Sequence, residues 1–373
     1  MIIQFRMPEI ICVSIKTLDM QSRHCAFFQV MANIESDRNP IMELELPRLK
    51  IIKKLNPPFW ASGGHSQTIM AHLIPSPTVH FSLEEFSVPL KDGDHLKIHT
   101  HKGPLPVMVS LFHGLSGNIN SDYMQRTALV VENLGYSLAL VNHRGVSSET
   151  SSEISLAKNP YHSGRGEDAS DVFEWLHNKY PDHFHIGIGF SMSGSILLNL
   201  LTGRAGHIKP DAAITINAPL DLEKGALKLR QRLNRIYDLR FVSRLGRGLK
   251  TKYESGLISK KYPIPFWSTV YDFDRIFTGP ATEFKTRENY YATCSMKTHL
   301  EKVDRPCFML SAEDDPFVDV SDYLNSAKSP FIQTHIEATG GHVGYLGIDQ
   351  KTGELYRWLD HFVAETLKII VKQ

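Results

Sequence analysis

Short apolar segments that alternate with amphipathic ones constrain the fold of this 373-residue chain more than any other feature. Four segments have the length and composition of strands buried on both faces: residues 107–112, 137–142, 185–190 and 212–217. Helical patterns lie between them, at residues 122–134, 165–179 and 195–201. Such alternation predicts an α/β fold, in which helices cover both faces of a mostly parallel central sheet.

The same pattern sets the expected limits of the core. Before it, residues 79–90 and 95–101 read as two strands joined by a turn at Lys91-Asp92-Gly93-Asp94. The alternation stops after residue 217 and later resumes. Its second part contains strands at 306–312 and 331–338, a helix near 319–327 and a final helix from about residue 353.

Three parts follow from this pattern. Residues 46–219 and 301–373 are expected to form an α/β core, and residues 220–300 a helical cap inserted between two of its strands. Residues 1–45 show poor periodicity and contain methionines at 7, 20, 31 and 42. We expect this segment to be an extension outside the core that arises from an upstream start codon.

Composition excludes several classes of protein. The 41 lysines and arginines against 40 acids give a net charge of +1, so the chain has no overall bias toward nucleic acid. Its four cysteines show no metal-ligand spacing, which favours a reduced cytoplasmic protein. No apolar run approaches the roughly 18–20 residues that span a bilayer.

Residues 187–195, GIGFSMSGS, nearly match two motifs. As a dinucleotide-binding GxGxxG loop the segment fails at Met192, follows several strands instead of the first, and lacks a later acid for a ribose. As a GxSxG nucleophile elbow it has Gly189 and Ser191, with Ser193 in place of the last glycine. Because serine is also small, the second interpretation is favoured, and Ser191 becomes the candidate nucleophile.

A nucleophilic serine in this type of fold needs an acid and a histidine, in the chain order Ser, Asp, His. Asp314 and Asp315 follow the apolar strand at 306–312, and His342 lies in a glycine-rich loop after the strand at 331–338. Asp315 is preferred to Asp314 because it directly precedes Pro316, which biases it toward an extended conformation. Ser191, Asp315 and His342 are therefore the predicted catalytic set.

Other polar residues receive narrower predictions. The oxyanion hole is predicted to use the backbone N–H groups of Met192, which follows the nucleophile, and Leu115, in the loop after an early strand. His113 is expected to hydrogen-bond backbone within that loop, and Arg144 to be a structural ion-pair partner. No cofactor-binding or metal-binding residues are predicted.

These motifs together resemble the YheT-like branch of the α/β-hydrolases, which is related to mammalian abhydrolase-domain esterases and phospholipases. The resemblance runs from about residue 57 to the end of the chain. It rests on eight segments: PPFWASGGHSQTI (57–69), LFHGLSGN (111–118) with Tyr123, NHRG (142–145), YHSGRGEDASDVFEWL (161–176), GFSMSG (189–194), YDFDRIFTGPATEF with NYY (271–291), SAEDDPF (311–317) and GGHVGYLG (340–347).

The resemblance implies an α/β-hydrolase fold and hydrolysis of carboxylic esters of acyl or lipid type. Ser191, Asp315 and His342 fall on the family's triad positions, whereas Ser193 departs from its usual glycine. His65 also matches a family motif, without an assigned role. Two alternatives stay open: an acyltransferase or other chemistry on the same triad, and a non-catalytic ligand-binding relative in which Ser193 has spoiled the elbow.

Residues 224–261 of the expected cap carry twelve lysines and arginines against two acids, a local net charge of +10. One interpretation is a solvated basic face on a helical cap. The other is a face that contacts anionic lipid headgroups while its apolar side guards an acyl pocket. The second would place a cytoplasmic protein peripherally on the inner face of a membrane.

Overall fold

The computed structural model describes residues 52–146 and 157–372. Its strands are β1 (Glu84–Pro89), β2 (His95–His101), β3 (Leu105–Phe112), β4 (Tyr136–Val141), β5 (Phe184–Phe190), β6 (Ala212–Ile216), β7 (Cys307–Ala312), β8 (Ile332–Glu337), β9 (Leu346–Ile348) and β10 (Leu355–Arg357). Its helices are α1 (Gly64–Leu73), α2 (Asp122–Asn133), α3 (Gly166–Lys179), α4 (Met192–Leu201), α5 (Leu222–Leu229), α6 (Arg235–Glu254), α7 (Val270–Phe273), α8 (Arg287–Cys294), α9 (Val320–Asn325) and α10 (Trp358–Val371).

Eight strands form one sheet in the order β1-β2-β4-β3-β5-β6-β7-β8. Strand β2 is antiparallel to both of its neighbours, and every other pair in this sheet is parallel. The predicted α/β fold with a mostly parallel sheet is therefore confirmed. The sheet orients β3, β5, β6, β7 and β8 alike, so the loops that follow these strands meet at one edge.

Side chains of β3 show why helices cover both faces of the sheet. Met108 and Phe112 pack with the apolar residues of α3 and α4 on one face. Val109 and Leu111, which alternate with them, pack with α2 and α10 on the other face. A strand buried on both faces is apolar at most positions, and in β3 only the buried Ser110 interrupts the apolar run from Val107 to Phe112.

Two predicted boundaries were wrong by about five residues, and helix α4 begins at Met192 instead of residue 195. Strand β1 begins at Glu84 instead of 79, and the Val79 N–H donates to the Gln125 side chain (2.8 Å) rather than to a neighbouring strand. The final helix begins at Trp358 instead of 353, because β10 pairs with β9 just before it. The turn between β1 and β2 forms as predicted, with a positive φ of 87° at Gly93.

Residues 220–300 lie between β6 and β7 and contain the four helices α5 to α8. Helices α5, α6 and α7 share an apolar cluster that includes Leu229, Val242 and Phe273, and Phe317 after β7 joins it. A π-helical turn, Asp274–Thr278, follows α7 directly. We call this segment the insertion. The division into core and cap remains a prediction, and the predicted extension at 1–45 lies outside the described residues.

Candidate active site

Ser191 lies between β5 and α4 in a strained conformation, with φ 52° and ψ −120°. Its N–H donates to the Ile216 carbonyl (2.7 Å), which ties the turn to the neighbouring strand. A Cβ atom at Gly189 would lie 2.5 Å from the carbonyl oxygen of Ser193, so no larger residue fits there. Such a turn projects the serine hydroxyl above the sheet edge.

The three predicted catalytic side chains form one hydrogen-bonded chain. Ser191 Oγ lies 2.8 Å from His342 Nε2, and His342 Nδ1 lies 2.9 Å from Asp315 Oδ2. The Asp315 side chain is fully buried and that of His342 is 11% exposed. These residues are far apart in sequence, and the loops after β5, β7 and β8 bring them together at one sheet edge.

Asp315 accepts four hydrogen bonds. Its Oδ1 accepts from the backbone N–H groups of Phe317 (2.8 Å) and Val318 (3.0 Å). Its Oδ2 accepts from His342 and from Nδ2 of Asn217 (2.7 Å). Asn217, at the end of β6 with φ 50°, was missed by the sequence reasoning. In the sequence, the only indication of this role is that Asn217 is a polar residue at the end of an apolar strand.

Asp314 points away from the imidazole and holds the histidine loop instead. Its carboxylate accepts from the Gly341 N–H (2.8 Å) and from the Thr339 hydroxyl (2.5 Å). The structure therefore separates the two adjacent acids, with one against the His342 ring and one against the backbone of the loop that carries it.

Helix α1, from the GGHSQT motif, supports the same loop from the other side. The Thr68 hydroxyl accepts from the His342 N–H (2.9 Å). Gln67 accepts from the Leu346 N–H (2.6 Å) and donates to the Leu346 carbonyl (3.1 Å). His65 lies 3.2 Å from the Tyr237 hydroxyl and stacks on that ring, so it joins α1 to the insertion.

Both predicted oxyanion donors line the cavity that contains Ser191. Met192 is the first residue of α4, so its N–H is one of those that find no acceptor within the helix. The neighbouring Gly114 N–H is already used, because it donates to the Tyr123 hydroxyl (2.9 Å). The assignment of Leu115 and Met192 to an oxyanion hole stays a prediction.

Ser193 belongs to a buried polar network. His143 Nε2 lies 2.6 Å from Ser193 Oγ, which in turn donates to the His113 carbonyl. His113 accepts from the His143 N–H (3.2 Å) and bonds the Gly114 carbonyl (2.8 Å), as predicted for a residue that shapes its loop. Burial lowers the pKa of His143 to about 4 and that of His113 well below its usual value, so both rings are neutral near pH 7. The serine hydroxyl therefore connects the elbow to the loop that carries Leu115.

Arg144 is an ion-pair partner, as predicted. Its guanidinium is 2% exposed and makes two hydrogen bonds to Asp168 of α3, at 2.7 and 2.5 Å. It also contacts Asp92 (2.6 Å) and Asp94 (2.9 Å) in the turn between β1 and β2. These contacts tie the segment after β4 to helix α3 and to the turn between β1 and β2.

Two cavities meet at Ser191 and His342. The inner one, of about 110 Å³, lies under the insertion and is mostly apolar, with Ala226, Leu229 and Phe273 in its wall. Asp274 also lines it, and burial raises the pKa of this carboxyl to about 6. The outer cavity, of about 440 Å³, lies between α1, the loop after β3 and α6, and has a more polar wall.

A family model described as the alpha/beta hydrolase fold matches residues 107–347, more than half of the chain, and the chain therefore belongs to the α/β-hydrolase family. It is similar to the putative esterase YheT of Escherichia coli K12, with 26% identity over 77% of this chain and 85% of the relative. It is also similar to phospholipase ABHD3 of Homo sapiens, with 25% identity over 78% of this chain and 73% of the relative.

A solved structure of esterase Pf2001 from Pyrococcus furiosus is 15% identical, covers 79% of this chain and 98% of its own, and has a TM-score of 0.49. The family model and the curated relatives confirm the predicted resemblance to the YheT-like α/β-hydrolases. Within residues 52–146 and 157–372, no helix combines the length and apolar character needed to cross a bilayer.

Proposed function

We propose that the protein hydrolyses carboxylic esters through an acyl-enzyme on Ser191. The hydrogen-bonded chain of Ser191, His342 and Asp315, at the point where two cavities meet, carries the proposal. The names of the relatives, which include an esterase and a phospholipase, agree with this class of reaction.

His342 Nε2 takes the proton from Ser191 Oγ as this oxygen attacks the ester carbonyl carbon. The negative charge moves to the carbonyl oxygen, where the N–H groups of Leu115 and Met192 stabilise it. The carbon–oxygen bond to the alcohol then breaks, and His342 gives its proton to the leaving oxygen. A water molecule, deprotonated by the same imidazole, attacks the acyl carbon, and the bond to Ser191 Oγ breaks as His342 returns the proton to that oxygen and the acid leaves.

Asp315 acts through the imidazole. It accepts from His342 Nδ1, which leaves Nε2 free to accept the serine proton, and it stabilises the imidazolium that forms. The apolar inner cavity suits the acyl chain, and the more open outer cavity suits the alcohol and its departure. No step of this mechanism requires a cofactor or a metal.

Trapping the acyl-enzyme tests the proposal. Purified protein mixed with a short-chain p-nitrophenyl ester should show a burst of nitrophenol and, after an acid quench, an acyl adduct on the peptide that contains Ser191. Adding ethanol to a parallel reaction distinguishes the acceptors, because an acyltransferase forms mainly the ethyl ester instead of the acid. Binding of esters with neither adduct nor product would instead favour a non-catalytic relative.

We also propose that the outer face of the insertion binds anionic membranes peripherally. Three apolar side chains there are largely exposed: Leu233 (74%), Phe266 (86%) and Trp267 (64%). Arg235 donates to the Trp267 carbonyl (2.9 Å), which brings this pair beside the basic helix α6. Exposed aromatic residues next to arginines fit the interface of an anionic bilayer.

Vesicle flotation tests this contact. The protein should float with phosphatidylglycerol vesicles but not with phosphatidylcholine vesicles, and raising the salt should release it. Substituting both Phe266→Ser and Trp267→Ser should weaken binding by about tenfold or more. Leu105→Ser is the matched control. Leu105 is an exposed apolar residue at the start of β3, the end of this strand away from Ser191. Vesicle binding that changes neither with salt concentration nor with the double substitution would contradict the proposal.

A further inference from the structure

Helix α6 presents Ile236, Arg240 and Arg244 to the outer cavity. The three residues are spaced by four, so they lie along one stripe of the helix. Ser191 and His342 line the same cavity. Two guanidinium groups therefore face the space into which the alcohol part of a bound ester extends under the proposed function.

Of the ten other lysines and arginines in residues 224–261, four pair with a carboxylate. Lys224 and Lys228 pair with Asp319, and Arg235 pairs with Asp238. Lys250 pairs with Glu254. Arg230 stacks on the Tyr271 ring, 5.0 Å from its centroid. Among the described residues, by contrast, neither Arg240 nor Arg244 has a carboxylate within 4.0 Å.

The contacts of the two arginines orient them without neutralising them. Arg240 donates to His72 Nε2 (2.8 Å), and the other nitrogen of that ring lies 2.9 Å from Asp122. Arg244 donates to the Ser116 carbonyl (3.1 Å) in the loop that carries Leu115. Burial and the nearby Arg244 lower the pKa of Arg240, as expected for two like charges one helical turn apart.

The charge of the cavity wall can be counted. Arg126 also lines it but pairs with Asp360 at 3.2 Å. Asp122 contributes one negative charge, so Arg240 and Arg244 leave a net positive charge facing the cavity. An anion between the guanidinium groups of Arg240 and Arg244 would relieve the repulsion between these two cations and accept several charge-assisted hydrogen bonds from them.

We propose that Arg240 and Arg244 form an anion subsite that selects carboxylic esters whose alcohol carries a terminal phosphate. A phosphate monoester supplies about 1.5 to 2 negative charges and three acceptor oxygens, enough for two guanidinium forks. A choline-capped phosphate would bring a quaternary ammonium beside two cations, so it is disfavoured. This subsite rests on the proposed ester hydrolysis, and it differs from membrane contact because it acts on single dissolved molecules.

Two soluble substrates with the same acyl chain test the subsite: 1-butanoyl-glycerol and its 3-phosphate. We expect kcat/KM to be at least about tenfold higher for the phosphate at low ionic strength. Replacing both arginines (Arg240→Gln and Arg244→Gln) should bring the ratio of kcat/KM for the phosphate to kcat/KM for the neutral ester down to about one, mainly by raising KM for the phosphate. The glycerophosphocholine ester should show no preference.

Arg247→Gln is the matched control. Arg247 is an exposed arginine of the same helix outside both cavities, so its replacement removes one positive charge from α6 without touching the subsite. Equal kcat/KM for the two substrates in the wild type would overturn the subsite. So would an equal loss of preference in Arg247→Gln, because a general basic field would then explain the effect.

Binding of glycerol 3-phosphate separates this proposal from the proposed function. Calorimetry should detect the compound on the wild type and on Arg247→Gln, but not on the protein that lacks both Arg240 and Arg244. If no ester were turned over yet this pattern held, the hydrolase proposal would fail and the anion subsite would stand. Absence of binding to the wild type would overturn the subsite even with an active esterase.

Discussion

Replacing Ser191 with alanine is expected to lower kcat for ester hydrolysis by at least about 10⁴-fold and to leave the fold intact. The substitution removes the atom that lies 2.8 Å from His342 Nε2 and that would form the acyl-enzyme. Alanine has the same Cβ, so the strained φ of 52° is neither relieved nor worsened by a change in backbone freedom.

The measurement combines single-turnover kinetics with circular dichroism and a thermal melt. Ser195→Ala serves as the matched control. Ser195 lies in α4, the helix that follows Ser191, and its hydroxyl donates to the Pro219 carbonyl (2.7 Å) instead of contacting the imidazole. We expect the control to retain kcat within about tenfold. If Ser191→Ala kept wild-type turnover with a native melt, another nucleophile would have to be found.

The sheet was predictable because burial on both faces leaves a strong pattern in sequence. Strands β3 to β7 matched their predicted limits to within about two residues, since each apolar run ends at a polar residue such as His113, Asn142 or Asn217. Helix α1 left no such pattern. Its buried positions are Gly64, Gln67 and Ala71, which face the core but are small or polar.

Partners that are distant in sequence set the rest of the site. Ser193 appeared to be a defect in the elbow, because a motif records only neighbours along the chain. In the structure its hydroxyl bonds the carbonyl of His113 and lies beside His143, 80 and 50 residues away. A glycine there would leave these buried groups with fewer partners. The departure from the family pattern thus has a structural reason that local sequence does not contain.

Asp315→Asn is expected to lower kcat by about 10⁴-fold, whereas Asp314→Asn should change it by less than about tenfold. All four groups around Asp315 are N–H donors, so either orientation of an amide places its NH₂ against a donor. An NH₂ beside His342 Nδ1 also favours the tautomer with the proton on Nε2, which cannot accept the proton of Ser191.

Asp314 offers the adjacent control because its surroundings accept an amide. The Asn oxygen can accept from the Gly341 N–H, and its NH₂ can donate to the Thr339 hydroxyl, which serves as donor or acceptor. Measuring kcat and the urea midpoint for both variants separates the orienting acid from the acid that holds the loop. A larger loss of kcat in Asp314→Asn than in Asp315→Asn would reverse the assignment, because only the acid bonded to the ring fixes its tautomer.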